Sequence, residues 1–262
     1  MSEAMFVFSG TGNSWYVARS LSAKLGIGEV TPIARGDWES KPESLAVAGI
    51  VFPVYMHRIP KIVKRFLAVV PPAQYLYFVA VNGGDVGHVF TDGRNLLSAR
   101  GVTLSAGFSV TMPSNYLPFG EAPSGAELEG ILRRADDSID SIAREVSARA
   151  TGFPREASLF RRLIWPGLTY AMGYKYLSFL DKGFHVDAGC NGCGICERLC
   201  PVGNIELVDE IPHWQNQCEQ CFGCINWCPQ GAIEYQDKTA GLKRYHNPRV
   251  KLSELIVRRP AE

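Results

Sequence analysis

CNGCGICERLCP at residues 190–201 and CEQCFGCINWCP at residues 218–229 are one motif written twice. Each reads C-x2-C-x2-C-x3-C-P: Cys190, Cys193, Cys196 and Cys200 before Pro201, then Cys218, Cys221, Cys224 and Cys228 before Pro229. This is the spacing of bacterial iron–sulfur ligation, in which each run gives three thiolates to one 4Fe–4S cube and its fourth Cys to the other. The pattern predicts one cluster on Cys190, Cys193, Cys196 and Cys228. It predicts a second on Cys218, Cys221, Cys224 and Cys200.

A chain bends tightly around a cube when ligands recur every third residue with small residues between them, here Gly192, Gly194 and Gly223. Proline after each fourth Cys has a fixed φ and no N–H, which turns the chain away from the cluster. The two runs match beyond cysteine at a constant offset: Pro201 with Pro229, Ile205 with Ile233, Glu206 with Glu234. Such a repeat implies two similar lobes sharing one small apolar core. The competing reading is a pair of zinc ribbons, since CxxC pairs also bind Zn²⁺. Zinc has no use for the third Cys or the Cys-Pro ending.

The chain has 262 residues, 46% hydrophobic and 20% charged, with a formal net charge of +1. That composition excludes a disordered chain and suits one or two domains with a full-sized core. The two runs use all eight cysteines, leaving none for disulfides. Dense thiols without a signal-peptide pattern point to a reducing cytoplasm. The apolar stretch 163–180 is interrupted by Pro166, Gly167, Gly173, Lys175 and Ser178, so no transmembrane segment is expected. Between Val186 and Asp237 eight acidic residues stand against Arg198 alone, whereas 238–262 forms a basic tail. The acidic stretch suits a basic redox partner protein, the tail suits folding back on it, and neither suggests nucleic acid.

Ala4–Phe8 is a short apolar run, followed by Ser9-Gly10-Thr11-Gly12-Asn13-Ser14 and an amphipathic stretch, Trp15–Leu25. Strand, polar glycine loop and helix together make a phosphate site from backbone N–H groups and hydroxyls. A P-loop needs a lysine that is absent, and Trp15 stands where a dinucleotide fingerprint needs a small residue. Strands are expected at Glu29–Ile33, Leu45–Phe52, Tyr75–Val81 and Val102–Val110. Helices are expected at Lys61–Val69, His88–Arg100 and Gly125–Arg149. Five alternating strands give an α/β domain with a doubly wound parallel sheet. Residues 151–186 are basic and aromatic, with Phe153, Arg155, Phe160, Arg161, Arg162, Trp165, Tyr170, Tyr174, Tyr176 and Phe179. That is too apolar for a free linker, and helices holding the two halves in fixed relation are expected. The histidines show no metal-ligand spacing.

The chain as a whole resembles the flavodoxin–ferredoxin fusion proteins. The matching pieces are SGTGNS at 9–14, PVYMHRIP at 53–60, NGG at 82–84, MPSNY at 112–116 and the two cysteine runs. The resemblance implies a flavodoxin-like domain over 1–150 with sheet order 2-1-3-4-5, a connector over 151–186, a small α+β two-cluster ferredoxin domain over 187–237, and a tail over 238–262. It implies FMN, its phosphate held by Ser9, Thr11, Gly12, Asn13 and Ser14. In this order the ligand crevice lies outside the strand ends at the switch point. Pro53, Tyr55, Asn82, Gly83 and Gly84 are the candidates there, Tyr55 against the ring face. The implied role is electron transfer between two clusters and FMN, serving one- and two-electron redox partners. The alternatives are an FMN-dependent reductase with a small organic substrate near His57, Arg58 and Tyr116, and a non-catalytic redox sensor.

Overall fold

The structure, a computed structural model, describes residues 2–34, 44–156 and 173–256. Five strands, β1 (Glu3–Val7), β2 (Val30–Pro32), β3 (Leu45–Pro53), β4 (Ala73–Asn82) and β5 (Ala106–Thr111), pair in parallel in the order β2-β1-β3-β4-β5. The order is flavodoxin-like, as the sequence implied. β3 and β4 read as nearly unbroken apolar runs because helices cover both faces of the sheet.

Side chains alternate between those faces with the period of two that a strand imposes. Met5, Val7, Tyr77 and Val79 pack with Val17 and Leu21 of α1 (Asn13–Leu25) and with Leu132 and Ile139 of α4 (Gly125–Ser147). Phe6, Phe8, Phe52 and Phe78 pack with Phe66 of α2 (Lys61–Leu67) and Phe90 of α3 (Val89–Ser98). Each such fully buried side chain contributes about 1.5–3 kcal/mol. Strand five starts later than the expected Val102. The Val102 N–H instead closes α3 on Leu97 O at 3.0 Å, and pairing with β4 begins at Ala106. Glu156 caps α3, accepting from the N–H of Phe90 at 2.7 Å and of Thr91 at 3.0 Å. A carboxylate is favoured there because a helix N-terminus carries unpaired N–H groups and positive potential.

The cysteine-rich part contains β6 (Phe184–Val186), α5 (Ile195–Leu199), β7 (Ile205–Val208), β8 (Ile211–Trp214), α6 (Gly223–Asn226) and β9 (Ile233–Tyr235). α5 and α6 begin 28 residues apart, as do β7 and β9, so the repeat of sequence is a repeat of elements. β6 pairs with β9 and β7 with β8, both antiparallel. The small core gathers Phe184, Phe222, Ile225, Ile233 and Tyr235, with Leu117 and Tyr116 arriving from the end of the large sheet.

A polar hub ties this part together. Asp181 and Asn204 are both buried; Asn204 Nδ2 donates to Asp181 Oδ2 at 2.9 Å, and the Asn216 N–H donates to the same oxygen at 2.9 Å. Asn204 Oδ1 accepts from the N–H groups of Gln215 and Gln217. Asn204→Ala leaves the Gln217 N–H without its acceptor and takes one of two donors from Asp181 Oδ2, so it is expected to destabilise the protein by about 1–3 kcal/mol, read as an earlier thermal transition. An unchanged transition would mean that water replaces the amide without cost.

In the connector, Phe160, Arg161, Arg162, Trp165 and Tyr170 lie outside the described residues, as does most of 163–180. The part that is described is anchored to the start of α2. Tyr174 OH donates to Ile59 O at 2.7 Å, and Lys61 Nζ donates to Lys175 O and Ser178 Oγ, each at 3.1 Å. Among the described residues no helix is long and apolar enough to cross a membrane.

Candidate redox site

Two cavities lie between the cysteine runs. One is lined by Cys190, Cys193, Cys196 and Cys228, with Leu207, Pro212 and Ile233 among its walls. The other is lined by Cys200, Cys218, Cys221 and Cys224, with Phe184, Trp214 and Phe222. Each therefore takes three cysteines from one run and the fourth from the other. Among the described residues no group of three or more His, Cys, Asp or Glu side chains is placed to hold a metal ion.

The surroundings of the two sets differ. Cys193 is exposed, whereas Cys218 is buried and Cys221 packs beside Val54 and Tyr55 against the large sheet's core. Burial pushes the Cys196 and Cys221 thiols up to about 12, and those of Cys218 and Cys224 well above the ordinary thiol range. A buried thiolate is costly unless a cation compensates it, so without one these cysteines rest as neutral thiols. Hydrogen bonds to sulfur are already in place: Asn204 N–H to Cys200 Sγ at 3.2 Å and Gln220 N–H to Cys218 Sγ at 3.2 Å.

The second cysteine run is set against the large sheet. A Cβ on Gly10 would lie 2.6 Å from Cys221 O, so only glycine permits this approach. Trp227 Nε1 donates to Gly10 O at 3.3 Å. Glu219 is 3% exposed, with Arg65 Nη2 at 3.8 Å and hydrogen bonds from the N–H groups of Lys61 and Ile62. Its carboxyl is pushed up to about 7, burial being the main cause and Arg65 with the two N–H groups working the other way.

The sequence-predicted loops meet at the same rim. Tyr55 and Arg58 exchange backbone hydrogen bonds of 3.1 and 2.9 Å around Met56 and His57, both at positive φ, which makes 55–58 a tight two-residue turn. The N–H of His88 donates to His57 O at 3.1 Å, joining the 82–88 loop to 53–60. Gly83 lies beside Ser114, and Asn13 Nδ2 donates to Pro113 O at 3.1 Å. Thus 9–14, 53–60, 82–88 and 112–116 come together, with Pro53 at the end of β3. The details differ from the sequence reading. Asn82 Oδ1 accepts from Gly84 N–H at 2.9 Å, a local turn that occupies this side chain. Tyr55 stands edge-on to Phe8, 6.0 Å between centroids, and burial followed by the neighbouring Cys221 and Glu219 raises its phenol.

The Ser9–Ser14 loop is buried and largely satisfied from within. Ser9 Oγ accepts from Gly12 N–H at 3.2 Å, and Thr11 Oγ1 accepts from Asn115 Nδ2. Asn13 Oδ1 accepts from Tyr245 OH at 2.9 Å and from Asn247 Nδ2 at 3.0 Å. Ser14 Oγ, buried at the start of α1, has no partner. The sequence reading missed Tyr245, Asn247, Trp227 and Glu219, single residues in stretches with no periodic pattern.

No family model matches this chain, and no curated protein matches it. Solved structures similar to about half of it include a flavodoxin of Streptococcus pneumoniae TIGR4, at 15% identity over 57% of this chain and 99% of that one, with a TM-score of 0.36. The Trp repressor binding protein of Bacillus subtilis is 14% identical over 55% and 99%, with a TM-score of 0.37. An archaeal flavodoxin is 12% identical over 54% and 99%, with a TM-score of 0.32. The flavodoxin-like character of the sheet rests on its own parallel strand order, β2-β1-β3-β4-β5.

Proposed function

We propose that this chain is an iron–sulfur electron-transfer protein holding two 4Fe–4S clusters, one on Cys190, Cys193, Cys196 and Cys228, the other on Cys200, Cys218, Cys221 and Cys224. The observation that carries this reading is the pair of cavities, each walled by four cysteines in the three-plus-one division that the motif demands. The donor set fits the group: eight thiols, largely apolar walls around the inward-facing set, and N–H donors to the sulfurs of Cys200 and Cys218. A single Zn²⁺ fits less well, because four thiolates must then converge to about 2.3 Å from one point. When bound, the clusters supply one-electron chemistry.

The chain's own residues set the direction. The set containing Cys193 opens toward solvent beside the exposed Glu210, in an acidic stretch of chain, which suits exchange with a basic partner protein. The other set is turned inward, toward Gly10, Phe8 and Tyr55. Asn204, Trp214 and Phe184 fix it there, and Glu219 anchors its loop to α2.

The Thr11 Oγ1 and Asn13 Oδ1 atoms accept from Asn115 Nδ2, Tyr245 OH and Asn247 Nδ2, so a phosphate on this loop would rest on its N–H groups and hydroxyl protons. A second reading, in which FMN joins the clusters, is favoured by one observation: the Ser14 hydroxyl is buried without a partner at a helix N-terminus. It would place the phosphate on Ser9–Ser14 and the ring near Tyr55 and Gly83–Gly84. Anaerobic reductive titration separates the two. The clusters alone take up about two electrons per chain, one each, and clusters with FMN about four. A chain that takes up none has neither.

A further inference from the structure

The hairpin of β7 and β8 has two unlike faces. Leu207 and Pro212 turn inward and wall the cavity of Cys190, Cys193, Cys196 and Cys228. By the alternation of a strand, the cross-strand pairs Glu206–His213 and Val208–Ile211 take the opposite face, and all four residues are exposed. Val208 and Ile211 stand opposite each other at 48% and 50% exposure, so together they make one apolar patch. The turn between them is acidic. Asp209 and Glu210 sit at φ 49° and 64° in a two-residue turn that favours Asn-Gly, so acidic side chains stand here despite backbone strain. Among the described residues, none of Glu206, Asp209 and Glu210 has an ion-pair partner. Arg198, the single lysine or arginine between Val186 and Asp237, donates from Nη2 to Cys193 O at 3.2 Å. Glu210 also lines the cavity with the exposed Cys193, so the acidic turn and the open side of that cysteine set lie together.

We propose that the outward face of β7–β8 is the docking surface for a redox partner protein whose own centre opens on an apolar patch ringed by lysine or arginine. Charge complementarity decides the occupant. A second copy of this chain would bring the same three carboxylates against these, and an anionic membrane or nucleic acid meets the same repulsion. An uncharged apolar partner would take water from three carboxylates and give them nothing in return. A basic ring matches the carboxylates, while Val208 and Ile211 supply the dry centre of the contact. The inference rests on the cluster assigned to Cys190, Cys193, Cys196 and Cys228. One electron leaves that reduced cube and reduces the partner's centre, and no bond is made or broken.

The test uses the full chain, prepared anaerobically, with cytochrome c, a basic one-electron protein, as the probe. Calorimetry at low salt reads the binding of ferric cytochrome c to the oxidised chain. Stopped flow reads the rate at which the dithionite-reduced chain, freed of excess dithionite, turns ferric haem ferrous. Asp209→Asn with Glu210→Gly removes two carboxylates and installs the residues this turn favours, so the variant keeps its fold. It is expected to weaken binding and slow transfer by about tenfold at low salt, with a shallower dependence of the rate on salt. Val208→Ser with Ile211→Ser is expected to weaken binding at low and high salt alike, because salt does not screen an apolar contact. Glu127→Gln with Glu129→Gln, an equal loss of charge at exposed positions of α4, is the control and should change binding by less than about twofold. A parent that does not bind cytochrome c overturns the proposal. So do hairpin variants that bind like the parent, or a control that weakens binding as much as they do. Iron content is read in parallel: a chain without iron transfers no electron and fails the cluster assignment, while calorimetry still decides the docking surface.

Discussion

Cys228→Ala is expected to abolish the cluster whose other three thiolates belong to the first run, leaving the nearer cluster of its own run intact. Cys200→Ala is expected to do the reverse. The reason lies in the lining of the two cavities, where each fourth cysteine sits with the opposite run. Iron should fall from about eight to about four per chain in each variant, since a cube missing one of its four thiolates is lost. The effect on stability should also be large, because metal binding to a small site is folding free energy for the lobe that holds it. Spectra of the reduced variants should show a single isolated cluster in each case, with different signals for the exposed and the inward-facing set. Loss of only the local cluster in either variant would contradict the crossed assignment.

Gly10→Ala is expected to open the contact between the second cysteine run and the sheet. The added Cβ would lie 2.6 Å from Cys221 O and 2.8 Å from Cys221 Cβ. Neither neighbour is the free end of a flexible side chain; both are atoms of Cys221 at or next to its backbone. Gly223 faces Gly10 O from the other side, with room for a Cβ only at 3.0 Å. Overpacking of this kind should cost about 3 kcal/mol or more, because the backbones on both sides must separate to relieve it. The expected readout is an early thermal transition and faster loss of iron to a chelator. Gly28→Ala, which adds a Cβ with nothing within 4 Å, is the control and should change stability by less than about 0.5 kcal/mol. Equal behaviour of the two variants would show that the packing at Gly10 is not required.

The sequence made some of this legible and hid the rest, for physical reasons. The side chains of Met5, Phe6, Val7 and Phe8 alternate between the two faces with the pleat of a strand, a repeating β–α pattern gave the parallel sheet, and the resemblance supplied its order. The cysteine spacing anticipated which four cysteines line each cavity, because that spacing constrains the chain locally. The rim loops were legible as strand ends over a switch point, but not what their side chains do there. Asn82 closes a turn on Gly84, a local bond that the glycine pair alone did not reveal. Glu219 counted as one charge in an acidic stretch, yet it is buried against the N–H groups of Lys61 and Ile62. Tyr245 and Asn247 meet Asn13 across more than 230 residues of chain, and isolated polar contacts of that range leave no periodic trace. The Asn204–Asp181 hub is hidden for the same reason.

The central claim is that eight thiolates hold two cubes. Its most direct test is metal and acid-labile sulfide analysis of the anaerobically purified full chain. The account predicts about eight irons and about eight sulfides per chain, with a brown colour that bleaches on reduction. About two zinc ions per chain with negligible sulfide would contradict it.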